Sequence, residues 1–164
     1  MCDCDKNLKQ LAKILLEKKF TISTAESCTG GLLASRLTDV SGSSNFLNES
    51  HVTYANSAKH KYLNVSDDIL NTFGAVSEEC ANAMAEGLEK LSESDVSLCT
   101  TGIAGPTGGS EGKPVGLIYI SCRFRGKTTV EKHILPHFLP RKLMKFMFSE
   151  KAIKLALKII SNKT

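Results

Sequence analysis

Glu26, Ser27, Cys28 and Thr29 set a carboxylate, a hydroxyl, a thiol and a second hydroxyl in consecutive positions, and Gly30 and Gly31 follow at once. Such a cluster suits a nucleophile held beside backbone donors. A helix beginning near Thr29 would present unpaired N–H groups and a positive dipole end to an anion or a developing oxyanion. The amides of Cys28 to Gly30 are the natural donors, because glycine lets the backbone come close to a carbonyl oxygen, and the Thr29 hydroxyl is a further donor. Ser27 and Thr29 are equally residues that cap helices, so the bare pattern admits a structural role as well. Cys28 offers a second nucleophile, since a thiol at a helix start can ionise readily, with His51 or His60 as its base. Glu26 either fixes the loop through hydrogen bonds or sits exposed at the helix start.

A second glycine-rich stretch runs from Thr101-Gly-Ile-Ala-Gly105-Pro through Gly108, Gly109 and Gly112 to Lys113. Neither stretch fits the GxxxxGK[ST] or GxGxxG phosphate-binding patterns. Both have the form of a strand running into a glycine loop, and in open α/β sheets ligands bind where strands end at their carboxyl termini. Main chain at Thr101, Gly102 and Gly105 could then approach a sugar phosphate, or the stretch could be a plain connection.

The elements that must position these loops alternate. Leu8, Leu11, Ala12, Ile14 and Leu15 recur with helical spacing over residues 6 to 19, after a loose tail over 1 to 5. Phe20 to Ala25 alternates as a short strand, and Leu32 to Leu37 reads as a helix ending near Thr38 to Val40. Phe46 to Ala55 is a strand, residues around Ala58 to Leu63 a helical patch, and Ser66 and Ser77 cap two further helices, ending near Gly74 and Leu91. Asp95 to Thr100 is a buried strand. Val115 to Phe124 and Lys127 to Leu135 form a hairpin at Arg125-Gly126, and Pro140 opens a last helix from Arg141 to about Ile160. The expected fold is one three-layer α/β/α domain with a mixed, mostly parallel sheet.

Composition narrows the function. At 164 residues and 41% hydrophobic the chain can bury one sizeable core. A net charge of +4, with lysines spread through both ends, gives no dense basic stripe for nucleic acid. The six cysteines include no CxxC pair, and Cys2 and Cys4 stand apart in the polar tail. No signal peptide and no apolar run of membrane-spanning length is present, so a cytoplasmic protein with reduced thiols and no membrane or metal partner is expected.

Taken in order, TAESCTGG, VTYANSAK, GAVSEE, TGIAGPTGG and KPVG closely resemble the C-terminal domain of the competence/damage-inducible CinA family, whose stand-alone members include nicotinamide-nucleotide amidohydrolase. The resemblance covers about residues 6 to 160. It implies an α/β/α fold assembled as a homodimer, no cofactor, and hydrolysis of nicotinamide mononucleotide to nicotinic acid mononucleotide and ammonia. It also implies that the nucleophile is Ser27 and that Lys59, in the segment with Tyr54 and Asn56, is its partner. Tyr54 and Asn56 become candidate contacts to this pyridine mononucleotide. Arg141 becomes a candidate for its phosphate, although the family's acidic and glycine residues before that arginine are replaced here by His137-Phe-Leu-Pro.

Such a pair sets a physical demand. Free lysine titrates near 10.4, so bringing Lys59 close to neutrality takes roughly 4 kcal/mol of desolvation. Without the resemblance Lys59, beside His60 and Lys61, would read as a solvated helix residue. A catalytically silent nucleotide-binding or oligomerisation module would carry the same glycine loops; intact Ser27 and Lys59 favour the enzyme.

Overall fold

The computed structural model describes residues 3–162. Its elements run α1 (Asp3–Lys18), β1 (Ile22–Glu26), α2 (Leu32–Thr38), a 3-10 turn (Ser43–Asn45), β2 (Leu47–Val52), α3 (Asn56–Leu63), α4 (Asp67–Thr72), α5 (Glu78–Ser92), β3 (Val96–Gly102), β4 (Leu117–Phe124), β5 (Lys127–Ile134) and α6 (Arg141–Ser161). Residues 1 and 2 of the expected loose tail, Cys2 included, lie outside the described residues. Asp3 to Asp5 form the first turn of α1, which therefore begins before the apolar periodicity does.

The sheet has the order β2-β1-β3-β4-β5. β1 pairs in parallel with β2 on one side and β3 on the other, and β4 runs antiparallel to both β3 and β5. Four strands thus share one direction and β4 opposes them, the mixed and mostly parallel sheet that the element order predicts. The β4–β5 turn is a tight hairpin because Arg125 and Gly126 both take positive φ, 52° and 73°.

Helices cover both faces. Leu11 and Leu15 of α1, Leu33 and Leu37 of α2, and Phe148 and Ile153 of α6 form the larger core with Ile22, Leu98 and Ile120 of the sheet. Leu63 of α3, Leu70 of α4, and Met84 and Leu88 of α5 form the smaller core on the other face with Ala25 and Cys99. Side chains alternate across a strand, so Ile22, Thr24 and Glu26 face the α2 and α6 layer while Ser23 and Ala25 face the α5 layer. All five residues of β1 are buried, since a central strand between two helical layers has no solvent face. Of the two hydroxyls in this strand, Ser23 meets Ser94 at 2.7 Å, while Thr24 Oγ1 is buried without a hydrogen-bond partner among the described residues.

The helix starts follow the capping chemistry: Ser66 accepts from the Ile69 amide and Ser77 from the Cys80 amide. Pro140 is the N-cap of α6, one residue earlier than its expected first helical position. The chain crosses from β1 through α2 to β2, then back over the other face through α3 to α5 into β3. The crossovers part at the carboxyl end of β1, and a crevice opens there between β1 and β3.

Candidate active site

Ser27 is the first residue beyond β1, and its amide donates to the Thr100 carbonyl at 2.9 Å, continuing the β1–β3 ladder by one step. The ladder keeps the strand's alternation through this point. Glu26 belongs to the α2 face and Ser27, one residue on, to the α3 and α5 face.

On the first face Glu26 is 1% exposed, and its carboxylate closes the start of α2. Oε2 accepts from the amides of Gly31 and Leu33, both at 3.0 Å, and Oε1 from Ala34 at 2.8 Å. The expected anion-binding helix start near Thr29 is thereby corrected. Gly30 and Gly31 take φ of 61° and 89°, which delays the helix to Leu32, and the protein's own carboxylate occupies its N-terminus. Glu26 consequently holds the loop, its carboxylate engaged by the three amides.

On the other face Lys59 of α3 is fully buried, and its Nζ lies 3.0 Å from Ser27 Oγ. The same Nζ donates to the carbonyls of Thr53 at 2.8 Å and Tyr54 at 3.2 Å, which belong to the bend between β2 and α3. Burial lowers the Lys59 pKa from the ordinary lysine value, and the nearby thiols of Cys80 and Cys28 oppose this only in part. A neutral amine has two N–H donors and one lone pair. Ser27 Oγ and the two carbonyls can accept from the three donors of an ammonium, and the same three contacts suit a neutral amine with its two donors on the carbonyls and its lone pair toward the Ser27 hydroxyl.

Cys28 lines the same cavity as Ser27, but burial pushes its thiol up to about 12, so it does not supply a thiolate at neutral pH. His60 directs Nδ1 to the Val65 carbonyl at 3.0 Å, and His51 lies 3.4 Å from Glu49. The Cys–His alternative fails on both counts. The expected role of the Thr29 hydroxyl is corrected, and Thr101, 1% exposed, is not among the residues lining the cavity. The Thr29 hydroxyl is buried against Thr100 at 2.8 Å, and the Thr101 hydroxyl donates to the Ala75 carbonyl at 2.7 Å, so both brace loops from inside. Asn56 opens α3 with an exposed side chain and is not among the residues lining the cavity.

The cavity beside Ser27 measures about 260 Å³ and is walled by Tyr54, Gly102, Ile103, Ala104, Gly105, Thr107, Gly108 and Arg141. Tyr54, Gly102, Gly105 and Arg141, all candidate contacts, thus share one cavity with Ser27. Gly102 sits where a Cβ would come within 2.5 Å of the Leu117 carbonyl, so only glycine lets β3 and the segment before β4 approach this closely. Arg141 Nη1 donates to the Gly105 carbonyl at 2.5 Å and Nη2 to the Tyr54 hydroxyl at 3.0 Å, joining the start of α6 to both loops. Among the amides after Ser27, those of Thr29 and Gly30 have no internal acceptor among the described residues.

Several contributors were missed from sequence. The Thr53 carbonyl has no side-chain signal at all. Ile103, Ala104 and Thr107 lie inside the glycine stretch and could have been named from it. Lys145, whose Nζ reaches within 3.4 Å of where a Cβ on Gly30 would stand, was legible as the i+4 neighbour of Arg141. Among the described residues no group of three His, Cys, Asp or Glu side chains could hold a metal, and no helix is long and apolar enough to cross a membrane.

Fold and site together define an α/β domain that carries a buried serine–lysine pair at the carboxyl end of its central strand. The family model of the CinA C-terminal domain matches residues 5–161, and the chain belongs to that family. It is 54% identical over 129 residues, 78% of the chain, to a putative competence-damage inducible protein of Clostridium beijerinckii. It is 46% identical over 152 residues, 93% of the chain, to a CinA-like protein of Syntrophus aciditrophicus. The chain spans only 32% and 36% of the lengths of these two relatives. Among solved structures, competence/damage inducible protein CihA from Agrobacterium tumefaciens superposes with a TM-score of 0.91 at 35% identity, covering 96% of this chain and 97% of that one. A CinA superfamily protein from Klebsiella pneumoniae 700603 superposes with a TM-score of 0.92 at 27% identity, covering 97% and 98%.

Proposed function

We propose that this domain hydrolyses the carboxamide of nicotinamide mononucleotide to nicotinic acid mononucleotide and ammonia. The observation that carries the reading is the Lys59 amine, buried without a carboxylate partner and 3.0 Å from the Ser27 hydroxyl. Neutral Lys59 takes the proton from Ser27 as Oγ attacks the amide carbon. Negative charge then gathers on the carbonyl oxygen, for which the amides of Cys28, Thr29 and Gly30 are the donors at hand. The lysine ammonium returns its proton to the departing ammonia, leaving an acyl group on Ser27. Water, deprotonated by the same lysine, attacks that ester and releases the acid. Tyr54 and the Gly102 to Gly105 main chain contact the ring and sugar, and Arg141 the phosphate.

The resemblance carries the choice of substrate and the expectation of a homodimer, while the mild net charge and the cysteine pattern carry that of a cytoplasmic protein that binds no nucleic acid. Buried thiols at Cys28, Cys80 and Cys99 suit a reducing compartment. Incubating the protein with nicotinamide mononucleotide, and following ammonia together with the one-dalton mass gain of amide-to-acid conversion, tests the reading. Wild-type protein should turn the substrate over and Ser27→Ala should not, while Cys28→Ser should retain most of the activity. Absence of ammonia from wild type would assign the cavity to binding alone.

A further inference from the structure

Lys145 lies one helical turn beyond Arg141 on α6 and leans onto the nucleophile loop. Its Nζ sits 3.4 Å and its Cε 3.9 Å from the position of a Cβ on Gly30, ordinary van der Waals range of that loop. The residue is half-buried. Unlike Arg36 or Arg123, which meet glutamates at 2.8 Å and 2.6 Å, Lys145 forms no hydrogen bond or ion pair among the described residues. An ammonium beside the nucleophile loop and without a protein acceptor is free to take a ligand anion.

Its position says which anion. The cavity next to Ser27 is lined by Arg141 but not by Lys145, which lies against Gly30 of the neighbouring loop. A transient, singly charged oxyanion forms inside, on the carbonyl that Ser27 attacks. A group outside the cavity, within reach of two cations one turn apart, is the solvent-facing end of the ligand, and two cations suit a dianion. The geometry points to Lys145 as a specificity-determining residue that, together with Arg141, selects ligands ending in a phosphomonoester dianion. This rests on the amide-hydrolase reading for its substrate, though not for its anion.

The test compares kcat/KM for nicotinamide mononucleotide with that for nicotinamide riboside, which lacks the phosphate, in wild type, Lys145→Gln and Lys145→Arg. Loss of a charge-assisted contact should lower the mononucleotide-to-riboside ratio about 10- to 100-fold in Lys145→Gln, chiefly through KM, and Lys145→Arg should restore most of it. An equal loss on both substrates would place Lys145 on the oxyanion or in the loop's structure and overturn the inference. Calorimetric titration with nicotinic acid mononucleotide, and separately with inorganic phosphate, needs no turnover. Weaker binding of the mononucleotide by Lys145→Gln, with a shallower salt dependence, supports the inference even if wild type releases no ammonia, and then only the hydrolase reading falls. A matching loss with inorganic phosphate would identify the site as one for free phosphate rather than for the nucleotide's ester. Unchanged affinity for both ligands overturns the role of Lys145 whether or not the enzyme is active.

Discussion

Arg36 and Lys59 are both buried cations, 5% and 0% exposed, and the protein holds them in opposite ways. Arg36 donates to Glu150 and Ser149, each at 2.8 Å, and lies 4.5 Å above the Phe146 ring. Glu150 in turn accepts from Asn7 at 2.8 Å, so α1, α2 and α6 are tied through a charge that is neutralised on the spot. Among the described residues Lys59 has only neutral acceptors: a hydroxyl and two carbonyls. A guanidinium beside a carboxylate stays charged and serves the scaffold. An amine buried without a counter-charge has a depressed affinity for its proton, and that is the property a general base needs.

The comparison breaks most sharply if Lys59 works merely as a positive charge. Lys59→Arg keeps the charge but cannot release a proton at working pH. Turnover of nicotinamide mononucleotide should therefore fall by about 10^3- to 10^4-fold, within a small factor of Lys59→Ala. Steady-state rates of the two variants decide it, and substantial activity in Lys59→Arg would transfer the proton to another group.

Arg36 should show a stability effect in place of a chemical one. Arg36→Met leaves the buried Glu150 carboxylate with only Asn7 and the largely exposed Lys154, at 3.6 Å, and urea denaturation should register a loss toward the lower end of about 3–5 kcal/mol. Replacing both partners, Arg36→Met with Glu150→Leu, should recover most of that loss, because the cost lies in the orphaned charge. Activity per folded molecule should stay close to wild type throughout. A double variant as unstable as the single one would mean that packing, not charge, dominates the site.

The smallest effect separates the two cations by pH. Native Lys59 has a lowered pKa, so between that value and the ordinary lysine value the unfolded chain holds a proton that the folded one has given up. Stability of wild type relative to Lys59→Met should then rise with pH across this window, by at most about 1.4 kcal/mol per pH unit, and be lost as pH falls through the native pKa. The same ionisation should make kcat/KM climb with pH. A pH-independent gap between wild type and Lys59→Met would show that Lys59 remains an ammonium.

Much of this was legible along the chain. Apolar periodicity, Ser66 and Ser77 as caps, and the Arg125-Gly126 turn locate nearly every element, because these signals act over a few residues. The motif order around Ser27, Tyr54 and Lys59 carried the family. Less legible were side chains whose partners are distant in sequence: the Thr29 hydroxyl was read as a further oxyanion donor, yet Thr100 engages it, and the Thr101 hydroxyl turns to the Ala75 carbonyl.

The amino-acid order by itself determined that Glu26 and Ser27 would point to opposite faces of β1, since alternation is a property of any strand. It also determined that two glycines would follow where the chain must turn. Only the tertiary structure decided which face held which partner. Packing α2 on one side turned Glu26 into the cap of a helix start, and packing α3 on the other drew Lys59 out of water and onto Ser27. The physical reason is that desolvation belongs to no residue alone. Lys59 reads as an ordinary surface lysine until the sheet, α5 and the carbonyls of Thr53 and Tyr54 enclose it.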